Sequence, residues 1–176
     1  EEFFDKAGMD KKVHYDPQAG MTSLHPGRQA NIIYDGTVIG YLGQVHPDVA
    51  DNYKIGESAY IAVLDMPALM DFTTFDRKYE GIAKYPAVSR DISMVVPKNI
   101  LAGQIEAVIA QRGGKILENY WLFDIYEGEQ IKEGFKSMAY SITFRAKDKT
   151  LEENDITAVM KKILNGLEGL GIELRQ

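Results

Sequence analysis

Cysteine is absent from the 176 residues, which excludes disulfides and thiolate metal sites and makes a cytoplasmic protein the natural expectation. Long apolar runs are missing too. Nothing approaches the roughly 20 residues that span a bilayer, and no secretory signal opens the chain, so no membrane partner is expected. A basic excess is also lacking: Lys and Arg total 20 against 26 Asp and Glu, for a net charge of -6. The deficit is uneven. Residues 1–83 carry 7 basic against 13 acidic side chains, and residues 84–176 carry 13 against 13. Neither half can grip nucleic acid by charge alone, so any such contact must be local or part of a larger footprint.

Histidine is scarce. His25 and His46 each precede a proline beside a glycine-rich hairpin, and with His14 they make a poor metal set, lacking ligand spacing and a carboxylate in a known motif. Gly40-x-x-Gly43 lies inside an apolar run and opens no helix, so it is no dinucleotide fingerprint. No Ser-His-Asp set, activated carboxylate pair or phosphate loop appears, and the chain is expected to be non-catalytic. It opens Glu-Glu-Phe-Phe, without methionine, and reads as a segment of a longer polypeptide.

What is present suits one large or two small soluble domains, at 45% hydrophobic and 26% charged residues. Residues 1–7 look like the tail of a helix closed by Gly8, and residues 11–23 like a loop. Apolar runs at 28–34 and 37–45 flank Asp35-Gly36, a strong two-residue hairpin signal. A short helix is predicted over 47–53 with proline in its first turn, then a strand over 58–64 and a helix over 66–71. The polar stretch 73–81 is taken as the boundary between a first domain, 1–80, and a second, 84–176.

The second half is more regular. A strand over 90–96 precedes a helix over 102–112 that stops at Gly113-Gly114. Strands over 116–126 and 136–145 flank a polar loop, 128–134. Thr150 and Glu153 fit a capping box, behind which Ile156, Val159, Met160, Ile163, Leu164 and Leu167 share a helical face. Residues 172–175 make a last strand. The order βαββαβ is that of a ferredoxin-like split βαβ unit within an α+β chain, with both helices on one face of a four-stranded antiparallel sheet.

The other face is then open, and alternation says what lies on it. With Trp121, Phe123 and Ile125 facing the helices, Leu122, Asp124 and Tyr126 face out. With Met138, Tyr140, Ile142 and Phe144 facing in, Ser137, Ala139, Ser141, Thr143 and Arg145 face out. Ile92, Met94, Val96 and Leu174 face in, which leaves Glu173 and Arg175 outward. Asp124, Tyr126, Ser137 and Arg175 thus gather on a flat surface that suits a nucleobase: the ring can stack, Asp can accept from ring N–H groups, and Arg can stack or hold phosphate. Other roles are simpler. Tyr126 can flank the Gly128 turn, Asp124 can serve solubility, and Arg90-Asp91 reads as an ion pair fixing the first strand. Lys147, Asp148 and Lys149 read as a solvated turn.

Tyr85-Pro-Ala-Val-Ser-Arg-Asp-Ile92, Leu122-Phe-Asp-Ile-Tyr-Glu-Gly128, Lys136-Ser-Met-Ala-Tyr140, Phe144-Arg145, Lys149-Thr-Leu151 and Leu174-Arg175 form an ordered series. It resembles the C-terminal ferredoxin-fold anticodon-binding domain of the bacterial phenylalanyl-tRNA synthetase β subunit. Upstream, Leu24-His-Pro-Gly-Arg-Gln-Ala30 and Ile39-Gly-Tyr-Leu-Gly-Gln-Val-His-Pro47 look like the end of that subunit's catalytic-like module, an antiparallel class II synthetase fold without its catalytic motifs. The resemblance implies tRNA(Phe) as partner, with Tyr126 stacking on the guanine at the first anticodon position. Asp124 would accept from guanine N1 and N2, Ser137 would add a hydrogen bond, and Arg175 would hold base or phosphate. It also implies an α subunit in an α2β2 enzyme, where ATP and Mg serve aminoacylation, and no cofactor in this segment. Residues 134–140 match the RNP1 pattern too poorly for a general RNA-recognition motif. The alternative is a ferredoxin-like regulatory module that binds a small metabolite or a partner protein; exposure of Asp124, Tyr126 and Arg175 argues against it.

Overall fold

In the computed structural model, which describes residues 2–9, 13–74, 79, 81–128 and 130–175, the chain divides into two compact units, Glu1–Glu80 and Gly81–Gln176. Residues 75–78 and 80, in the polar stretch taken as the boundary, lie outside the described residues.

The first unit is built on a four-stranded antiparallel sheet in the order β1 (Val13–Asp16), β2 (Leu24–Tyr34), β3 (Thr37–Val45), β4 (Tyr60–Leu64). Asp35 and Gly36 turn β2 into β3 with φ of 48° and 79°, the doubly left-handed turn that matches strand twist. Strand β1 occupies part of the stretch expected to be loop. Its four residues pair with the far half of β2, and that long-range pairing, which lacks a local signal, orders them. Helices α1 (Glu2–Lys6), α2 (Pro47–Asn52) and α3 (Met66–Phe72) complete the unit. Phe4, Met9, Ile32, Tyr34, Ile39 and Leu69 form its core, and the Tyr34 and Phe72 rings meet at 5.0 Å between centroids.

The second unit runs β5 (Val88–Pro97), α4 (Ala102–Gly113), β6 (Leu117–Tyr126), β7 (Phe135–Phe144), α5 (Glu153–Glu168) and β8 (Glu173–Leu174). Its sheet order is β6-β7-β5-β8, all neighbours antiparallel. This is the split βαβ arrangement that the element order predicted. One face of the sheet is sealed. Ile92, Met94 and Val96 of β5 and Met138, Tyr140, Ile142 and Phe144 of β7 pack on Ile105 and Ile109 of α4 and Ile156, Ile163 and Leu167 of α5. Both hydrophobic stripes fall where the alternating and helical periods put them.

Two local expectations are corrected. Helix α5 is capped by Glu152, not Thr150, and Asp155 rather than Glu153 reaches back, accepting from the Glu152 N–H at 3.1 Å. Buried Leu151 sets this start: its side chain belongs to the core, so the helix begins after it. Released from the cap, Glu153 takes Arg90 at 2.6 Å. Arg90 is therefore tied to α5 and not to Asp91.

Candidate nucleic-acid interface

The face of the second sheet opposite the helices is organised in cross-strand rows. At one end, Tyr126 of β6 sits beside Ser137 of β7, which sits beside Val95 of β5, itself paired with Glu173 of β8. In the next row Asp124 pairs with Ala139, and Ala139 with Ser93. The Arg175 backbone N–H donates to the Ser93 carbonyl at 2.8 Å, which ties the end of the chain to this row. A third row joins Trp121, Ser141 and Asp91, and a fourth joins Asn119, Thr143 and Ser89, whose hydroxyls lie 3.0 Å apart. Along the middle strand Ser137, Ala139 and Ser141 are only 5%, 5% and 6% exposed. Small residues form the floor of a trough, and larger side chains from β6, β5 and the chain end form its walls.

Three of the four residues singled out from sequence are exposed here. The fourth, Ser137, lies at the floor. The Arg175 guanidinium spans the trough: Nη1 donates to Ser137 Oγ and Nη2 to Gln130 Oε1, each at 3.4 Å. Arg175 thus reaches from the sheet edge across β5 to the centre, leaving part of its fork exposed. Tyr126 is 40% exposed, and its hydroxyl end lies against Gly128, where an added Cβ would collide with it. The turn glycine and the tyrosine are therefore coupled. A side chain at Gly128 has to displace the ring from its seat. Neither Asp124 nor Asp91 has a hydrogen-bond or ion-pair partner among the described residues.

Strand β6 departs from simple alternation. Leu122 pairs with buried Tyr140 and packs on the core, and Trp121 lies on the open face opposite Ser141, 47% exposed. This reverses the expected orientation of both residues. The cause is a β-bulge: the pairing steps from Leu122↔Tyr140 to Asp124↔Ala139, so Phe123 is an extra residue without its own partner. One inserted residue changes the parity of everything before it relative to everything after it. Asp124 and Tyr126, beyond the bulge, keep the expected outward face. Ile125 pairs with Met138 on the helix side, as expected, yet remains more than half exposed at the strand's end. Trp121, Asp91 and Ser93 are the face residues that alternation missed or did not weigh.

Elsewhere two of the three histidines have local tasks. His25 Nδ1 accepts from the Gly27 N–H at 3.1 Å, and His46 Nδ1 accepts from the Asp48 N–H at 3.3 Å at the start of α2. No group of three His, Asp or Glu side chains able to hold a metal occurs among the described residues. No helix among them is long and apolar enough to cross a membrane. A cleft of about 410 Å³ between α5 and β8 is lined by Met94, Leu164, Leu167, Ile172 and Leu174, with Glu168 and Glu173 as its charged groups.

Two helices on one face of a β6-β7-β5-β8 antiparallel sheet, with aromatic, acidic and guanidinium groups on the other, define an open-faced split βαβ domain of the α+β class. Residues 83–175 match the model of the ferredoxin-fold anticodon binding domain, and the chain belongs to that family. Residues 1–66 match the phenylalanyl tRNA synthetase beta chain CLM domain. The chain is 42% identical over 165 residues to the phenylalanine–tRNA ligase beta subunit of Clostridium acetobutylicum, covering 93% of this chain and 21% of the relative. It is 42% identical over 166 residues to that of Clostridium tetani, covering 94% of this chain and 21% of the relative. With the Bacillus subtilis subunit the figures are 43% over 151 residues, 86% of this chain and 19% of the relative. The chain thus spans about a fifth of the length of these relatives.

Proposed function

We propose that the chain serves tRNA(Phe) anticodon recognition and subunit architecture within a cytoplasmic phenylalanine–tRNA ligase. In this reading residues 1–80 are the end of the catalytic-like module of the β subunit and residues 84–176 are its anticodon-binding domain. ATP- and Mg-dependent aminoacylation takes place on the partner α subunit of an α2β2 enzyme. No residue of this chain performs the chemistry.

The observation that carries the reading is the cross-strand convergence of Tyr126, Ser137 and Arg175, with Asp124 one row along, on an accessible sheet face. An exposed phenol ring offers a stacking platform. A carboxylate one row along, without a partner among the described residues, accepts from the N1 and N2 donors of guanine, a donor pair that no other base presents on one edge. Ser137 holds the guanidinium through Oγ, and Arg175 turns its remaining N–H groups to the base or a phosphate. Exposure of Asp124, Tyr126 and Arg175 favours this over a small-metabolite module, because a metabolite site would bury such groups. The cleft beside α5 offers carboxylates in an apolar lining and no cation.

The test is titration of the chain at low salt with the anticodon stem-loop of phenylalanine tRNA. Tyr126→Ala should weaken binding by about 1–3 kcal/mol, the worth of one stacked base. Changing the first anticodon base from guanine should weaken it comparably in the wild-type chain and little further in Asp124→Ala. Affinity that is unchanged by Tyr126→Ala and by the base change, in wild type and Asp124→Ala alike, would refute the assignment.

A further inference from the structure

We propose that Trp121 and Asp91 form a second base-binding position on the same trough, which stacks another unpaired base of the bound RNA without selecting its identity. The inference rests on the anticodon-reading assignment of this face and extends it. Trp121 and Asp91 flank Ser141 from opposite sides, each in register with it. With strands about 4.8 Å apart, their Cα atoms stand roughly 10 Å from one another, room for one ring lying against the indole. Ser141 between them is small and almost fully covered, at 6% exposure, so an incoming ring lies on the half-exposed indole above this floor and not against the serine itself.

This position is distinct from that of Tyr126. Tyr126 pairs with Ser137 and Trp121 with Ser141, four residues along β7 and therefore about 13 Å apart. That exceeds the roughly 3.4 Å rise between stacked neighbours on one strand, so one base cannot serve both rings. A half-exposed indole is a stronger stacking platform than a phenol and accepts any base, since every base has a π-face. Asp91 sets the polarity. A carboxylate without a partner among the described residues repels phosphate and accepts hydrogen bonds, so this end of the trough takes the base edge and the backbone must pass elsewhere. Asp91 stands two strands from the indole and takes a single N–H, which every nucleobase carries on its pairing edge. It therefore adds affinity with little selection, unlike Asp124, which takes the paired N1 and N2 donors of guanine.

Trp121 is the single tryptophan of the chain, which makes the test direct. The chain is titrated with the anticodon stem-loop of phenylalanine tRNA while the fluorescence of Trp121 and the anisotropy of end-labelled RNA are read together. The series is repeated with an abasic site at each loop position in turn. Quenching that saturates with binding, and disappears for an abasic site at a position other than the first anticodon base, is the expected result. Trp121→Ala should weaken binding about fivefold to a hundredfold, with Trp121→Phe recovering most of the loss. Replacing the sensitive base by any other base should change affinity less than threefold.

If the stem-loop binds in a Tyr126-dependent way, yet Trp121 fluorescence is unmoved and Trp121→Ala binds like wild type, the second position is refuted and anticodon reading stands. Quenching that survives every abasic substitution also refutes it, because the indole would then be touching backbone. Absence of any stem-loop binding at low salt overturns both readings for this chain.

Discussion

Tyr140 gives the sharpest test of how the second unit is held together. Its ring is fully buried at the centre of β7, and its hydroxyl donates to Glu106 Oε1 on α4 at 3.3 Å. Burial first, and then the nearby Glu106 carboxylate, push the phenol well above its ordinary value near 10. Replacing Tyr140 with Phe keeps the ring and removes one long hydrogen bond, at a cost of about 1 kcal/mol at pH 7. The pH dependence carries the decisive information. A raised folded-state pKa means the native protein keeps its proton while the unfolded chain loses it. The wild-type advantage is therefore fully present below pH 10 and shrinks above it by about 1.4 kcal/mol per pH unit. The phenylalanine variant has no such proton to lose. The two stabilities should cross about one pH unit above 10, with the variant the more stable beyond that. Urea melts of both proteins between pH 7 and pH 11.5, followed by Trp121 fluorescence to isolate the second unit, measure the difference directly. The other tyrosines are common to both chains and cancel. A difference that stays constant from pH 9 to pH 11.5 would refute the claim that the fold holds this phenol neutral.

Gly40 of β3 lies so close to the Val63 carbonyl of β4 that a Cβ would collide with backbone. Gly40→Ala should therefore destabilise the first unit by about 1–3 kcal/mol and leave the Trp121-monitored transition unchanged, read by comparing far-ultraviolet circular dichroism with fluorescence melts. At the start of α5, Lys149 Nζ donates to Asp155 Oδ2 at 2.6 Å and, with the Glu152 N–H, holds the Asp155 carboxyl below its ordinary value. The sign follows from linkage: the contribution is present above the unfolded-state value near 3.8 and is lost as pH falls through the lower folded value. Asp155→Asn should flatten the acid limb of the stability curve below pH 4, and an unchanged limb would contradict the pairing.

The order βαββαβ was legible without coordinates because each element of the second half advertises itself locally. Ile92, Met94 and Val96 alternate, as do Met138, Tyr140, Ile142 and Phe144, and the α5 stripe repeats at helical spacing. Right-handed crossover then leaves little freedom in where the helices go. The Asp35-Gly36 hairpin was legible for the same reason, a turn chemistry that admits few alternatives. Asp124, Tyr126 and Arg175 were placed on the open face by parity alone, and Ser137 with them. What parity could not tell is that Ser137 lies at the floor beneath Arg175 and not at the surface.

Other features belong to the tertiary structure. The four residues of β1 carry no strand signal of their own and are ordered by β2, a partner many positions away. The start of α5 shifts because Leu151 is drawn into the core and the helix can begin only after it. Above all, Tyr120-Trp121-Leu122-Phe123 is apolar at every position, so either alternation satisfies a hydrophobic count. Which ring turns outward is settled by the bulge at Phe123, and the bulge exists because β6 must match β7 on both sides of it, with Leu122 against Tyr140 and Tyr126 against Ser137. Local pattern determined that this strand has two faces; pairing with its neighbour, where an extra residue can be accommodated only by breaking register, decided that Trp121 belongs to the open one.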